Sequence, residues 1–274
     1  MNHIITSEKN PFFREIKHLS KSRYIRKRGK FLAGGEKILS ELCRHEVHHF
    51  LLAWISCPGH EHQLPGKNIP VYFFSKDLFR QIDFFGTGPP LALLKVPPLP
   101  FFTGKLGEGI SLFLPFQDPG NIGSSLRSAS AFSVSEVILL KESAYPFLPR
   151  SVRSAGSALF QIKLSEGPSL QELLSAPPPH LYLLDIKGED IRNFNPPPSL
   201  GLVAGLEGKG IPFPTNLPRI RIPIHPRQNS LNAAVAIAIA LFVLQTKWQL
   251  IQPAGEKADA PSLHAVLKNK AKFD

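Results

Sequence analysis

The sequence predicts an α/β protein in which a mostly parallel sheet, covered by helices on both faces, follows a smaller α/β domain. Short apolar strands alternate with helical patterns along most of the 274 residues, which is typical of parallel sheets. Prolines cluster in connectors such as VPPLP and NPPPS, which form stiff extended linkers. Hydrophobic residues make up 43% of the chain, enough for a sizeable core.

The smaller domain is expected at residues 1–98. Apolar residues at helical spacing predict a helix at 11–22, and two glycines precede a second helix at Glu36–Arg44. The stretches HHFLLAWI, IPVYFF and LALLKV predict strands. SKDLFRQI begins with a serine cap and predicts a helix between the last two strands. A linker rich in proline and glycine follows at 99–109.

The second domain is expected at 110–250, and a loosely ordered tail at 251–274. Its last helix is apolar on nearly every side, so it is expected in the core or at a subunit contact. Asn229 or Ser230 is expected to cap that helix. The predicted strands of this domain lie at 110–116, 136–140, 159–164, 180–185, 200–205 and 219–223, and its helices at 121–132, 149–157, 169–175 and 231–247.

Positive charge is concentrated near the N-terminus. The formal net charge is +11, and residues 1–30 hold nine lysines and arginines against two acidic residues. A basic segment on a nearly neutral body favours a nucleic acid partner over a membrane surface, which requires more apolar anchors. A solvated face that aids solubility is the alternative. The basic residues expected to contact nucleic acid are Arg23, Arg26, Lys27, Arg28 and Lys30.

Cysteine content and hydropathy indicate a reduced, cytoplasmic setting. Cys43 and Cys57 are the two cysteines and imply no disulfide framework. The first 30 residues lack the apolar core of a signal peptide. The longest apolar run, Ala233–Leu244, is shorter than the roughly 18–20 residues of a membrane span, so no membrane partner is expected.

A metal-binding pattern overlaps the second helix. An H-E-x-x-H sequence, as in zinc proteases, runs directly into the predicted strand FLLAWI and so lacks the continuous helix that places both histidines on one face. We therefore expect exposed histidines and no bound metal, with a zinc hydrolase kept as an alternative. The residues of metal-ligand type in this stretch are His45, Glu46, His49, Cys57, His60 and His62.

Three stretches of the second domain combine glycines with polar side chains. DPGNIGSSLRSASAF opens its first helix, and GLEGKGIP follows a strand that ends at Ala204, where glycines let a ligand approach the backbone closely. IPIHPRQNSLN leads into the apolar helix, where Asn232 either caps the helix or needs buried partners. Each stretch alone is a weak signal, and GLEGKGIP fits neither a P-loop nor a dinucleotide fingerprint.

In this order, the three stretches resemble the three motifs of the SpoU-type (TrmH-like) RNA ribose methyltransferases of the SPOUT superfamily. PFLPRSVRSAGSALFQIKL resembles the segment between the first two motifs, and NPFFREIKHLSKSRYIRKRGKFLAGGEKIL resembles the small RNA-binding domain that precedes this fold. The resemblance covers nearly the whole chain except the tail. It implies a trefoil-knotted methyltransferase domain, S-adenosylmethionine as cofactor, rRNA or tRNA as substrate, and a homodimer whose sites lie near the subunit contact.

The resemblance also implies roles for individual residues. Arg127 and Asn121 match the substrate end of the site. Arg127 is expected to orient the ribose and stabilise the developing alkoxide, since a guanidinium with a pKa above about 12 is a poor base. Asn121 is expected to fix Arg127 or the ribose. The remaining matches are Glu207, Ser230 and Asn232 as polar residues around the pocket, and Gly205, Gly208, Ile222 and Leu231 as cofactor-binding positions.

Two departures from the family pattern leave substrate choice open. Ser133 stands where the first motif usually continues with glycine, and the stretch before LALL lacks an expected glycine. Neither touches a proposed catalytic group. The alternative from another functional class is a non-catalytic RNA-binding protein on the same scaffold.

Overall fold

The computed structural model of the protein describes residues 4–44, 50–60, 69–208 and 210–251. The chain forms two compact units, and the first takes in a segment from the middle of the sequence. The first unit is Met1–Pro98 with Tyr145–Ser157, and the second is Leu99–Ala144 with Ala158–Asp274. Residues 145–157, which the sequence pattern assigned to the second domain, therefore group with the first unit.

The first unit contains a mixed five-stranded sheet. Its strands are ordered β1-β4-β3-β5-β2, with β5 antiparallel to both neighbours and the other pairs parallel. Trp54 and Phe74 of this sheet are fully buried, as are Phe13, Ile16 and Ile25 from its helices. The elements are β1 (Ile4–Ile5), α1 (Pro11–His18), α2 (Ser22–Arg28), β2 (Lys30–Gly34), α3 (Glu36–Arg44), β3 (Leu51–Ser56), β4 (Val71–Phe74), α4 (Lys76–Ile82) and β5 (Leu91–Lys95).

The second unit contains a parallel six-stranded sheet in the order β11-β9-β10-β6-β7-β8. This confirms the predicted mostly parallel α/β class, while the trefoil knot stays a prediction. The elements that follow β5 are β6 (Gly109–Leu114), α5 (Pro119–Ala131), β7 (Glu136–Leu139), α6 (Pro149–Ala155), β8 (Leu164–Glu166), α7 (Leu170–Ser175), β9 (Leu181–Asp190), β10 (Ser199–Ala204), β11 (Arg219–Arg221) and α8 (Ala233–Ile251). Of these, α6 lies in the segment that groups with the first unit.

Two helices replace the single one predicted at 11–22. The side-chain oxygen of Asn10 accepts hydrogen bonds from the backbone N–H groups of Phe12 and Phe13, which begins α1. After α1 ends, the chain forms α2, which ends at Gly29 in the left-handed region, with φ +62°. The sequence pattern missed α2 because Ile25 is its one buried residue, too little for a visible apolar period.

The strand predicted at 159–164 is wrong. The structure has a 3₁₀ helix at Gly156–Phe160, and the strand β8 begins at Leu164. Ala158 and Leu159 are buried within the 3₁₀ turn. A short apolar run that is buried in a helical turn cannot be distinguished from a strand by its periodicity.

The helix predicted at 231–247 begins two residues later than expected, because Asn232 caps it instead of Asn229 or Ser230. The side-chain oxygen of Asn232 accepts hydrogen bonds from the N–H groups of Ala234 and Val235 at 3.0 and 3.2 Å. One face of α8 is buried and packs against α5, whereas the other is exposed. Among the described residues, no helix is long and apolar enough to span a membrane. The predicted tail lies outside the described residues except for Ile251, the last residue of α8.

Candidate active site

The carboxyl ends of β6 and β10 lie side by side in the parallel sheet, with Phe113 opposite Val203. The segments that leave these strands therefore emerge at the same edge, where open α/β sheets bind ligands. After β6, the chain enters α5 through Asp118, whose carboxylate accepts a hydrogen bond from the N–H of Asn121 at 2.9 Å. Pro119 follows as the first helical residue, a position that requires no backbone donor.

The segment after β10 forms a tight turn, called here the glycine loop, of which the structure describes residues 205–208 and 210. Leu206 and Gly210 pair across it, their N–H groups donating to each other's carbonyl oxygens at 2.6 and 2.8 Å. Gly208 and Gly210 have φ values of +75° and +62°, which favour glycine. A Cβ atom on Gly205 would lie 2.8 Å from the Cα atom of Gly210. The loop therefore excludes a side chain at 205 and keeps its backbone bare.

Glu207, in the glycine loop, joins that loop to the start of α5. One carboxylate oxygen accepts hydrogen bonds from the N–H groups of Gln117 and Asp118 at 3.1 and 3.0 Å. The other oxygen accepts a hydrogen bond from the side-chain amide of Asn121. A carboxylate at a helix N-terminus is also favoured by the helix dipole. Glu207 thus fixes the two segments that leave β6 and β10.

Asn232 extends these contacts to α8. Its side-chain amide donates a hydrogen bond to the side-chain oxygen of Asn121 at 3.2 Å, while its own oxygen caps α8. Asn121, Glu207 and Asn232, one from each motif stretch, therefore form a continuous hydrogen-bonded set that we call the motif network. Asn121 contacts Glu207 and Asn232, and its expected role in fixing Arg127 or the ribose stays a prediction.

Arg127 stands apart from the motif network. It lies six positions after Asn121 on α5, about 9 Å further along the helix axis. Its side chain is exposed and makes no hydrogen bond or ion pair with any residue that the structure describes. The guanidinium is thus available for two parallel hydrogen bonds to a phosphate or another anionic oxygen.

The other predicted pocket residues follow β11 or precede α8. Ile222 is half-buried directly after β11, and Ser230 and Leu231 are exposed just before Asn232. Within the described ranges, Ser230 has no side-chain hydrogen bond. Sequence reasoning missed Asp118, although the pattern D-P-G before an apolar helix is a recognisable cap signal.

The five basic residues predicted to contact nucleic acid differ in their surroundings. Arg23, Lys27 and Arg28 are exposed on α2. The Arg26 guanidinium lies 4.0 Å above the ring of Tyr145, a cation–π contact. The Lys30 amine pairs with the Glu15 carboxylate at 2.9 Å. Two of the five therefore have partners inside the first unit.

The predicted metal-ligand stretch is only partly described. Cys57 is a buried free thiol, and its burial raises its pKa. Among the described residues, no group of three or more histidine, cysteine or acidic side chains is placed to hold a metal ion. His45, Glu46, His49 and His62 lie outside the described residues.

Comparison with known sequences matches the second unit to one family. Residues 112–242 match the model of the SpoU rRNA Methylase family, which confirms the resemblance of the three motifs. The chain is 41% identical over 245 residues to "Ribosomal RNA small subunit methyltransferase G 2" of Syntrophobacter fumaroxidans. That alignment covers 87% of this chain and 48% of the relative, so the chain spans about half of the relative's length.

Another relative is matched over nearly its whole length. The chain is 27% identical over 253 residues to a 23S rRNA (guanosine(2553)-2'-O)-methyltransferase of Bacillus subtilis, with 88% of this chain and 98% of the relative covered. Both relatives are named as ribosomal RNA methyltransferases, and the Bacillus name specifies a ribose 2'-oxygen.

Solved structures share the fold. An AdoMet-bound rRNA methyltransferase from Sinorhizobium meliloti superposes with a TM-score of 0.72 at 20% identity, over 89% of this chain and 97% of that one. The SpoU methyltransferase AviRb from Streptomyces viridochromogenes gives a TM-score of 0.72 at 23% identity, over 88% and 98% of the two chains.

Proposed function

Because residues 112–242 match the model of the SpoU rRNA Methylase family, we propose that this chain transfers a methyl group from S-adenosylmethionine to a ribose 2′-hydroxyl of ribosomal RNA. The observation that carries the proposal is the motif network, which joins all three motif stretches at one edge of the sheet. The Bacillus relative, matched along its length, supports ribose as the target. The Syntrophobacter name belongs to a protein about twice as long, so its small-subunit specificity need not reside in the shared half.

The glycine loop fits S-adenosylmethionine as a ligand. Gly205 and Gly208 leave its backbone open to close approach, and Ile222 and Leu231 add apolar contacts. When bound, the cofactor supplies a methyl group activated by its sulfonium charge. Glu207 and Asn232 hold the loop and the start of α8 in place through the motif network.

Arg127 is the residue proposed to act on the substrate. Methyl transfer requires the 2′-hydroxyl oxygen to lie within about 3–3.5 Å of the methyl carbon and in line with it. The exposed guanidinium of Arg127 can hold a neighbouring phosphate and stabilise the negative charge that develops on the oxygen. Ser230, exposed before α8, can donate a further hydrogen bond. The motif network positions the segments around these two residues.

The first unit is proposed to bind the RNA. Arg23, Lys27 and Arg28 of α2 are exposed, and the surrounding residues 1–30 are strongly basic. A ribosomal RNA substrate places the protein in the cytoplasm. No metal is needed for this chemistry.

The exposed face of α8 supports the proposal of a homodimer. Val235, Ile239 and Phe242 are 48%, 36% and 58% exposed and lie on one side of the helix, a face that we call the α8 stripe. Spacings of four and three residues place them in a row. Contiguous apolar surface of this kind favours a subunit contact. We propose that a second copy of the chain covers the stripe.

Calorimetry with S-adenosylmethionine, together with methyl transfer to ribosomal RNA, tests the proposal. The parent protein should bind the cofactor. Gly205→Ala should bind it much more weakly, because the added methyl group displaces the backbone of Gly210. Gly107→Ala, at a glycine where an added Cβ atom would meet nothing within 4 Å, serves as the control. Binding of RNA without binding of the cofactor would instead favour a non-catalytic RNA-binding protein.

A further inference from the structure

The segment that interrupts the second unit is anchored in the core of the first. Tyr145 and Phe147 are buried, and their rings pack edge to face with centroids 5.3 Å apart. The Phe147 ring also lies 4.8 Å from the ring of Phe31 in β2. These contacts fix the start of α6 beside β2, although more than 100 residues separate them in sequence.

Arg26 connects this segment to α2. Its guanidinium lies 4.0 Å above the Tyr145 ring, a distance at which a cation is attracted to the ring face. Arg23 lies three positions before Arg26 and four before Lys27, so it neighbours both on the helix surface. The contact of Arg26 with Tyr145 therefore turns this basic side of α2 toward the segment that carries α6.

The segment at 145–157 is itself basic. Its sequence YPFLPRSVRSAGS contains two arginines and no acidic residue, and α2, with the sequence SRYIRKR, also lacks acidic residues. Arg150 and Arg153 are exposed three positions apart on α6, which places them on one face, whereas Ser151 and Val152 are buried. The two basic elements therefore meet at the contact between Arg26 of α2 and Tyr145 at the start of this segment.

We propose that Arg150 and Arg153 of α6 and Arg23 and Lys27 of α2 form one RNA-binding surface of the first unit, the two-helix surface. Arg26 is its positioning residue, holding α6 in place through Tyr145. Guanidinium groups bind phosphate oxygens through two parallel hydrogen bonds, which suits the RNA backbone. This inference rests on the proposed function, in that the substrate is RNA. It adds a segment from within the methylase sequence to the surface that holds the RNA.

The test measures RNA binding without the cofactor. A fluorescein-labelled hairpin transcribed from 23S rRNA is titrated with the full-length protein, and its anisotropy is followed at several salt concentrations. Arg153→Ala should weaken binding severalfold and reduce the slope of log affinity against log salt by about 0.7–0.9, the loss expected for one phosphate contact. Arg80→Ala, which removes an exposed arginine that pairs with Asp77 on α4, should change neither quantity.

Variants of Tyr145 test whether Arg26 positions α6 or itself binds an RNA phosphate. Tyr145 is buried, so Tyr145→Leu cannot remove an RNA contact, yet it should weaken binding as much as Arg26→Ala does. Tyr145→Phe retains the ring face that Arg26 contacts and should bind RNA more tightly than Tyr145→Leu. The double variant Arg26→Ala, Tyr145→Leu should be no worse than either single variant. Normal binding by a folded Tyr145→Leu protein, with weak binding by Arg26→Ala, would make Arg26 a phosphate ligand and overturn its positioning role.

The outcomes also separate this surface from the proposed methyl transfer. Unchanged affinity and salt slope for Arg153→Ala, in a protein that methylates RNA, would overturn the two-helix surface and leave the proposed function intact. Loss of RNA binding by Arg153→Ala, in a protein that methylates no RNA, would support the surface and count against the enzyme. If the parent protein bound polyglutamate instead of the RNA hairpin, an acidic protein would be the partner and the inference would fail.

Discussion

The two units use their polar side chains in opposite ways. In the first unit, α2 carries exposed basic side chains, and the Arg26 guanidinium contacts the ring of Tyr145. In the second unit, Asn121, Glu207 and Asn232 are bonded to one another and to backbone N–H groups. Independent surface charges are expected to act additively and to weaken with salt. A connected network is expected to fail as a unit when one member is removed.

The sheets explain this difference. The parallel sheet of the second unit brings the ends of β6 and β10 to one edge, so segments far apart in sequence meet there. In the mixed sheet of the first unit, β5 runs antiparallel to both of its neighbours, so the strand ends are divided between two edges. A polar network is therefore built in the second unit, and a charged surface in the first.

The largest effect is expected at Arg127. Arg127→Ala should lower the single-turnover rate of methyl transfer by about 10²–10³, the usual cost of losing one preorganised electrostatic donor. Arg127→Lys should restore little, since an ammonium group lacks the planar fork. Cofactor binding, followed by calorimetry, should change little in either variant. Near-normal single-turnover rates for Arg127→Ala would remove its assigned role.

Disruption of the motif network is expected to have the next largest effect. Glu207→Ala leaves the N–H groups of Gln117 and Asp118 and the Asn121 amide without their acceptor. Each unsatisfied group costs about 1–3 kcal/mol when it is kept from water, so cofactor affinity should fall at least tenfold. Asn121→Ala combined with Glu207→Ala should add little further loss. Fully additive losses in calorimetry would show that these residues act independently.

The α8 stripe provides a prediction about assembly. Phe242→Glu places a charge on the proposed contact, next to the Phe132 ring at 6.0 Å, and should convert the dimer to a monomer in light scattering. Ile186→Glu, at another exposed apolar position of the second unit, should leave the dimer intact. A monomeric parent protein of 30.3 kDa would contradict the dimer.

The basic residues of the first unit should contribute unequally to RNA affinity, according to whether each is paired within the protein. Lys27→Ala removes an exposed charge and should weaken RNA binding severalfold at low salt, with the difference shrinking as salt is raised. Lys30→Ala should have a smaller effect, because the Lys30 amine is paired with the Glu15 carboxylate. Filter binding over a salt series compares the two variants. Equal losses of RNA affinity in the two variants would show that the ion pair between Lys30 and Glu15 opens when RNA binds.

The smallest effect concerns the pH dependence of stability. Hydrogen bonds from the Lys141 amine and from Ser169 lower the pKa of Glu172 from 4.5 to about 2. Because the folded-state pKa is depressed, this contribution is present above pH 4.5 and is lost as the pH falls toward about 2. Glu172→Gln should therefore be slightly less stable than the parent near neutral pH, and the difference in urea denaturation should vanish near pH 2. A difference that persists there would point to another cause.

The resemblance of three stretches to family motifs singled out Asn121, Glu207 and Asn232, and their role in an active site stays a prediction. The sequence did not predict the hydrogen bonds that join these residues. The hydrogen bond between Asn121 and Asn232 joins residues 111 positions apart. Such contacts depend on strand order, which local periodicity does not encode, so the expectation for Asn121 named Arg127 or the ribose and neither Glu207 nor Asn232.

The same limit explains the errors in the fold. The grouping of residues 145–157 with the first unit depends on contacts such as that between Phe31 and Phe147. No local sequence pattern predicts these contacts. The two-residue strand β1 is too short for alternation to show. By contrast, α4 and β10 were predicted closely, since a serine cap and a run of apolar residues ended by glycine mark them in the sequence.

The position of the transferred methyl group tests the proposed methyl transfer to ribose most directly. Purified protein would be incubated with methyl-tritiated S-adenosylmethionine and unmodified 23S rRNA, 16S rRNA or tRNA transcripts, with Arg127→Ala as the matched control. The labelled RNA would then be hydrolysed with alkali, which leaves a 2′-O-methylated ribose joined to its neighbour because the 2′-oxygen cannot attack the phosphate. We expect label in alkali-resistant dinucleotides from ribosomal RNA, and very little label in them when Arg127→Ala is used. Label confined to the bases, or equal labelling by both proteins, would contradict it.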